Sequence, residues 1–279
     1  MRSILRAAFM LVAMAMPFVA GAAERNDVPD CYAYAQLQQY RPKPSGRELV
    51  VIIDQTTPLT EDLRNTAIRA ALRFVRPGDN VLIYQFSAYM AENYMRLPFE
   101  GMIELPIKGE LRNEVGMESL EKLDHCLLQQ QQFFVRTFTD KFNASVGTPA
   151  TDIAKSEILL SLHEIATDLS KRPVAKRDIL LVSDMLENSD FDNFYARGSV
   201  RDLRPDAELK KVEANHLFAD FGGAHVYVHG AGLVPSTSHD GYRSGVAIKA
   251  LESFWRQYFK RSNAELEAFG APTLTTDIQ

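Results

Sequence analysis

Runs of apolar residues alternate along the chain with segments in which apolar residues recur at helical spacing. Residues 48–54 (ELVVIID), 80–86 (NVLIYQF) and 178–184 (DILLVSD) are continuous aliphatic or β-branched runs. Such runs are typical of strands that are buried on both faces. Residues 224–229 (AHVYVH) predict a further strand, and residues 102–107 predict a shorter, weaker one. The pattern therefore predicts five strands spread over most of the chain.

The segments between these strands predict helices. Thr60 is suited to cap the first of them, since Glu61 and Asp62 follow where acidic groups favour the helix dipole, and Pro77 and Gly78 end it. The other helices are predicted over residues 117–142, from near Thr151 to 169, 206–221 and 244–260. Strands that alternate with helices predict an α/β, doubly wound, mostly parallel sheet with helices on both faces.

The amino terminus has the pattern of a secretory signal peptide. Arg2 and Arg6 precede an apolar stretch over residues 7–20, and small residues follow, with cleavage expected after Ala22 or Ala23. The alternative is an uncleaved membrane anchor, but the apolar stretch is shorter than the roughly 20 residues that span a bilayer. We therefore expect an exported protein, periplasmic or secreted, with no membrane span after cleavage.

The length of 279 residues suits one large domain with attachments. The prediction is a signal peptide (1–23), an amino-terminal extension (24–47), the α/β domain (48–262) and a carboxyl-terminal tail (263–279). The formal net charge is −5, and no basic run occurs that could neutralise a phosphate backbone. We therefore expect no nucleic-acid partner.

The chain contains two cysteines, Cys31 and Cys126. Export predicts an oxidising compartment, in which this pair could form a disulfide that closes a loop of about 95 residues. In the chain-entropy model such a bridge stabilises the fold by up to about 4–5 kcal/mol. The alternative is two separate buried thiols.

Polar side chains that suit a divalent cation stand where two predicted strands end. Asp54 and Thr56 follow the first strand, and Asp184 ends the strand over 178–184. Thr151 opens the helix before that strand. Because ligands of doubly wound sheets bind at the carboxyl ends of the strands, these residues are expected to meet at one edge. Carboxylate and hydroxyl oxygens are the ligands that Mg²⁺ prefers.

With these residues in this order, the chain resembles the von Willebrand factor A family over roughly residues 48–260. That family carries a metal-ion-dependent adhesion site with the pattern Asp-x-Ser-x-Ser after the first strand, a separate Thr and a later Asp. Asp54, Thr56, Thr151 and Asp184 match four of these positions. Pro58 stands where the second serine would be and has no side-chain oxygen, and the adjacent Thr57 is out of register.

The resemblance implies a binding module rather than an enzyme. In the family, hydroxyls bind Mg²⁺ or Mn²⁺ directly, aspartates act through waters, and an open coordination position accepts an acidic side chain of a partner protein. Two alternatives remain. One is a Mg²⁺-dependent phosphate hydrolase with Asp54 as nucleophile, which lacks a second Asp at position 56. The other is a structural domain whose metal site has decayed, which Pro58 favours.

Three further groups are weaker candidates for function. Residues 187–192, with Glu187 and Asp192, are expected to form a solvated acidic loop that could border a binding surface, as could the loop over 230–243. His225 and His229 have the i, i+4 spacing of a helical zinc site. They lie on a predicted strand, however, where four residues span about 13 Å, so they are not expected to share a metal.

Overall fold

The computed structural model describes residues 25–87, 95–147, 155–196, 199–234 and 245–279. The strands are β1 (Arg47–Asp54), β2 (Asn80–Phe86), β3 (Met95–Met102), β4 (Lys176–Val182), β5 (Tyr195–Ala196), β6 (Ser199–Val200), β7 (Ala224–His229) and β8 (Ala264–Gly270). The helices are α1 (Cys31–Tyr34), α2 (Glu61–Phe74), α3 (Met117–Ser145), α4 (Ile158–Leu169), α5 (Pro205–Ala214) and α6 (Gly245–Arg261). Two 3₁₀ turns cover Gln38–Tyr40 and Gly109–Glu114.

Six strands form one mostly parallel sheet in the order β3-β2-β1-β4-β7-β8, in which β3 alone is antiparallel to its neighbour. The short strands β5 and β6 pair with each other. The predicted doubly wound α/β sheet is therefore confirmed. The chain winds from β1 toward β3 on one side and from β4 toward β8 on the other, so the winding direction reverses between β1 and β4.

Helices cover both faces of the sheet. On one face, Leu49 and Val51 of β1 pack with α2 and with the phenylalanines of α3. On the other, Val50 and Ile52 pack with α4, α5 and α6. Successive residues of β1 therefore pack on opposite faces of the sheet. Because both faces are buried, the sequence of β1 is a continuous apolar run.

A disulfide joins Cys31 of α1 to Cys126 of α3, with an S–S distance of 2.03 Å and a Cα–Cα distance of 5.5 Å. The predicted pairing is thereby confirmed. The bridge lies in a small apolar cluster between α1 and the first half of α3, which includes Tyr32 and Leu123. It fastens the amino-terminal extension to the domain. A disulfide of this kind is typical of proteins in an oxidising compartment.

Three element boundaries differ from the sequence prediction. The strand predicted over 102–107 lies earlier, at Met95–Met102, where Phe99 pairs with β2 and is buried. The helix predicted to reach 221 ends at Ala214, because His216 adopts a positive φ of 56° that a right-handed helix excludes. The helix predicted to begin near Thr151 starts at Ile158 in the described residues.

The carboxyl-terminal segment contains a strand that the sequence analysis did not predict. β8 pairs in parallel with β7 and forms one edge of the main sheet. The predicted tail over 263–279 therefore includes part of the sheet. The sequence of β8 (AELEAFG) contains no continuous apolar run from which a strand would be predicted. Only one face of this edge strand packs on a helix, and the other carries exposed glutamates. In the part of the chain that the structure describes, no helix combines the length and apolarity needed to cross a membrane.

Candidate functional site

The site lies where the winding direction of the sheet reverses, at the carboxyl ends of β1 and β4. Ile53 and Val182 are register partners in these neighbouring strands, so Asp54 comes level with Ser183, and Asp184 follows one residue later. Asp54 is 0% exposed and Asp184 is 1% exposed. The two strand-end aspartates therefore lie at the same edge of the sheet.

Four donors surround the carboxylate of Asp54. Its Oδ1 accepts hydrogen bonds from the backbone N–H of Thr56 (2.9 Å) and from the Thr56 hydroxyl (2.6 Å). Its Oδ2 accepts from the hydroxyls of Ser156 (3.1 Å) and Ser183 (3.0 Å). Thr56, which the family resemblance matched to a ligand position, therefore contacts Asp54, and two serines that were not predicted as site residues join it.

Asp184 is held by the loop that follows β4. Its Oδ1 accepts from the backbone N–H of Leu186 (2.9 Å), and its Oδ2 accepts from the hydroxyl of Tyr195 (2.9 Å). Nothing in the sequence linked Tyr195 to this aspartate, because it lies eleven residues further along an irregular segment.

Thr57 contacts the loop that follows β4, although its sequence position alone placed it out of register. The chain turns directly after β1, with the Thr57 N–H donating to the carbonyl of Asp54 at 3.3 Å. This turn brings the Thr57 hydroxyl to the backbone N–H of Asp184, from which it accepts a hydrogen bond at 3.0 Å. Thr57 therefore links the segments that follow β1 and β4, and its hydroxyl oxygen accepts the hydrogen bond that joins them.

The pKa values of both carboxyl groups are raised. Burial raises the pKa of Asp54, and its hydrogen bonds with Thr56, Ser183 and Ser156 oppose that rise. Burial and then the charge of Asp54 raise the pKa of Asp184 well above its ordinary value. Burial and the nearby Asp184 also raise the pKa of Tyr195. Two buried carboxylates with like charge are unfavourable together, so protonation or a bound cation would relieve the site.

Thr151, the fourth predicted ligand, lies outside the described residues. The described residues on either side of that segment reach the site. A Cβ at Gly147 would lie 2.1 Å from the carbonyl oxygen of Gln55, so only glycine permits this approach to the loop after β1. On the other side, Ser156 donates to Asp54. The loop over 230–243 is described only as far as residue 234.

The acidic loop after β4 was predicted to be solvated, but only Asp190 of its three acids is exposed (86%). Glu187 is 0% exposed, and its Oε2 accepts a hydrogen bond from the backbone N–H of Leu159 at the start of α4 (3.0 Å). The side chain of Asp192 is 6% exposed and pairs with Arg201 and Lys211. Both acids are buried because the unpaired N–H groups of α4 and the cations beside α5 give them partners.

Comparisons with known proteins give a faint likeness of fold. No family model matches this chain, and no curated protein matches it. An aerotolerance-related membrane protein from Bacteroides fragilis is similar over 80% of this chain and 92% of its own, with 13% identity and a TM-score of 0.33. The PilB minor pilin from Streptococcus sanguinis is similar over 83% and 57%, with 13% identity and a TM-score of 0.38.

The three amino-terminal domains of the type V pili tip protein Mfa5 from Porphyromonas gingivalis are also similar, at 11% identity and a TM-score of 0.29. That match covers 63% of this chain and spans about a quarter (27%) of the other. TM-scores this low carry no argument about function, so the function is argued from the site alone.

Proposed function

We propose that this protein is an exported binding module, which captures an acidic side chain of a partner protein through a Mg²⁺ or Mn²⁺ ion at the carboxyl ends of β1 and β4. The observation that carries the proposal is the pair of buried carboxylates, Asp54 and Asp184, at the reversal point of the sheet. Among the described residues, no Lys, Arg or His is one of the groups that most strongly shift the pKa of either carboxylate. A cation would supply the missing positive charge.

The donor set at this edge fits a hard divalent cation. In the described part of the chain, the side-chain groups that contact the two carboxylates are hydroxyls, from Thr56, Ser156, Ser183 and Tyr195. Oxygen ligands of this kind suit Mg²⁺ and Mn²⁺ rather than softer metals. We expect Thr56 and Thr151 to bind the ion directly and Asp54 and Asp184 to act through waters.

Pro58 removes one hydroxyl from the adhesion-site pattern, and the fold offers replacements. Ser156 and Ser183 place two further hydroxyls on Asp54, both within 3.1 Å of its Oδ2. Either oxygen can take the position that Pro58 leaves without a ligand. The open coordination position then remains for the carboxylate of a partner protein, and no covalent bond is made or broken.

The burial of Asp54 favours binding over the alternative of phosphate hydrolysis. A nucleophilic carboxylate needs a free oxygen lone pair directed at its substrate. Both oxygens of Asp54 instead accept two hydrogen bonds each, and the side chain is 0% exposed. These same hydrogen bonds favour the other alternative, a structural domain with a decayed metal site, because they satisfy the carboxylate without an ion.

Calorimetry of Mg²⁺ and Mn²⁺ binding to the chelator-stripped full chain separates these functions. We expect saturable binding at one site, lost in Asp184→Asn and retained in Asp190→Asn. Asp190 is a matched control because it lies on the same loop with its side chain 86% exposed. If neither metal binds, or if both variants bind equally, the metal site is not the one proposed.

The same variant gives a second readout in chelator. Since Asp184 is buried beside a like charge, Asp184→Asn is expected to raise the free energy of unfolding at neutral pH by about 1–2 kcal/mol. Added Mg²⁺ should stabilise the parent chain and leave the variant unchanged. A decayed site predicts no effect of Mg²⁺ on either. Capture of a partner from envelope extracts, with and without chelator, then tests whether binding depends on the ion.

A further inference from the structure

A second group of metal-binding side chains lies at the opposite edge of the sheet, where β7 and β8 begin. His225, Glu265 and Glu267 each offer a ligand atom, and these atoms all lie within 4.8 Å of one another. The His225 Nδ1 is 2.5 Å from the Glu267 Oε1. This group takes no part in the site at the carboxyl ends of β1 and β4.

The backbone explains why three ligands share one small area. His225 and Glu265 are register partners in the parallel pair β7 and β8, so their side chains lie on the same face. The register then shifts, because Val226 pairs with Leu266 while Tyr227 pairs with Ala268. Glu267 is the extra residue of this bulge and adds a second carboxylate to the face that carries His225.

An independent observation comes from the neighbouring strand β4. Asp178 is the register partner of His225 on the other side, and it is 0% exposed. Its Oδ1 has no hydrogen-bond partner, and its Oδ2 pairs weakly with the Lys176 ammonium at 3.5 Å. Burial raises the pKa of Asp178, while the charges of Lys176 and His225 oppose the rise.

A buried carboxylate beside a metal-binding histidine has a known physical role. A histidine that binds a metal through one ring nitrogen commonly donates the N–H of the other to a carboxylate, which fixes the orientation and tautomer of the ring. Asp178 lies in the same cross-strand row as His225 and Glu265, and has acceptor capacity to spare. Its place in this row makes Asp178 the candidate to orient His225 when a metal is bound.

We propose that His225, Glu265 and Glu267 bind one Zn²⁺ ion, with Asp178 as a positioning residue for His225. One imidazole nitrogen and two carboxylate oxygens suit Zn²⁺ better than Mg²⁺ or Ca²⁺, which favour oxygen alone. Two ligands about 2.0 Å from a tetrahedral zinc are roughly 3.3 Å apart. His225 and Glu267 would separate slightly to admit the ion, which would tie the edge strand β8 to β7 and leave one position open to solvent.

Zinc titration of the full chain, made without a polyhistidine tag and stripped with chelator, tests the site. Calorimetry with ZnCl₂ should give one saturable site per chain, which is lost in His225→Ala and in the double variant Glu265→Gln/Glu267→Gln. Asp178→Asn should weaken binding about tenfold. His216→Ala is the matched control, because His216 lies in the exposed turn after α5 and should bind zinc like the parent chain.

Two further measurements test whether the effect of zinc depends on His225. Zinc should raise the melting temperature of the parent chain and of Asp184→Asn, which removes a residue of the other proposed site, and should not raise that of His225→Ala. Co²⁺ should give the visible absorption of a tetrahedral complex in the parent chain and not in His225→Ala. Zinc binding that is absent in the parent chain, or that survives unchanged in His225→Ala, would overturn the proposal.

Discussion

The burial and the pKa of Glu187 depend on its surroundings in the folded protein rather than on its neighbours in the sequence. It lies in a loop with Asp190 and Asp192, where solvent exposure would be the ordinary outcome. Instead, its carboxyl group caps the start of α4 through the N–H of Leu159 and is 0% exposed. Burial is the main reason that its pKa rises to about 8. At neutral pH this side chain is therefore mostly protonated.

The raised pKa of Glu187 makes the free energy of unfolding depend on pH. A carboxyl group with a raised pKa in the folded state binds more protons there than in the unfolded chain. The free energy of unfolding therefore falls as pH rises from about 4.5 to about 8. We expect Glu187→Gln to match the parent chain near pH 4.5 and to exceed its stability by roughly 2–4 kcal/mol above pH 8.

Urea unfolding at both pH values measures the effect of Glu187→Gln, with Glu110→Gln as the control, since Glu110 is exposed. A stability difference between variant and parent that does not grow with pH would show that Glu187 titrates near its ordinary value.

At the scale of elements, α6 both completes the core and supports the site. Phe254, Trp255, Tyr258 and Phe259 are all buried against the sheet, as a packing stripe requires. The Trp255 Nε1–H donates to the carbonyl of Met185 at 2.9 Å, directly after Asp184. Met185 itself has a positive φ of 63°, which is costly for a residue with a side chain. α6 therefore holds the loop after β4 in its conformation.

Truncation in this stripe should be strongly destabilising. Phe254 is 0% exposed and makes edge-to-face ring contacts with Phe194 (5.0 Å) and Trp255 (5.0 Å). We expect Phe254→Ala to lower the free energy of unfolding by about 3–5 kcal/mol, measured by chemical denaturation. Val246→Ala on the same helix is the control and should change it by less than about 0.5 kcal/mol, because Val246 is 71% exposed. Equal effects would contradict the packing described for α6.

At the scale of the whole molecule, three connections between distant described residues attach the ends of the described chain to the fold. The disulfide Cys31–Cys126 links residues 95 positions apart and fastens the amino-terminal extension to α3. At the other end of the chain, β8 extends the sheet beyond β7, and Arg73 of α2 pairs with Asp277 at 2.8 Å. The amino-terminal extension from residue 25 onward and the segment over 263–279 therefore belong to the folded unit.

Removing the disulfide should destabilise the protein, because the bridge restricts the conformations of the unfolded chain. Because the bridge closes a loop of 95 residues, the double variant Cys31→Ser/Cys126→Ser is expected to lose about 2–5 kcal/mol in denaturant unfolding. A reducing agent should lower the melting temperature of the parent chain and leave that of the variant unchanged. If the parent chain is equally stable with and without reductant, the bridge contributes nothing.

The sequence by itself determined the features that depend on local periodicity. Continuous apolar runs predicted β1, β2, β4 and β7, and their alternation with helices predicted the doubly wound sheet. The positions of Asp54 and Asp184 followed, because residues at the ends of neighbouring parallel strands must share an edge. The cysteine pair was one of two stated options, since export favours a bridge but does not fix the distance between two residues.

Only the tertiary structure decided which side chains complete these sites. Ser156 reaches Asp54 across 102 residues of sequence, and Tyr195 reaches Asp184 from an irregular loop. β8 was not predicted, because an edge strand with one exposed face carries no continuous apolar run. The row from Asp178 to Glu265 likewise depends on strand order and register. Such contacts arise when separate elements pack together, and no local pattern in the chain encodes them.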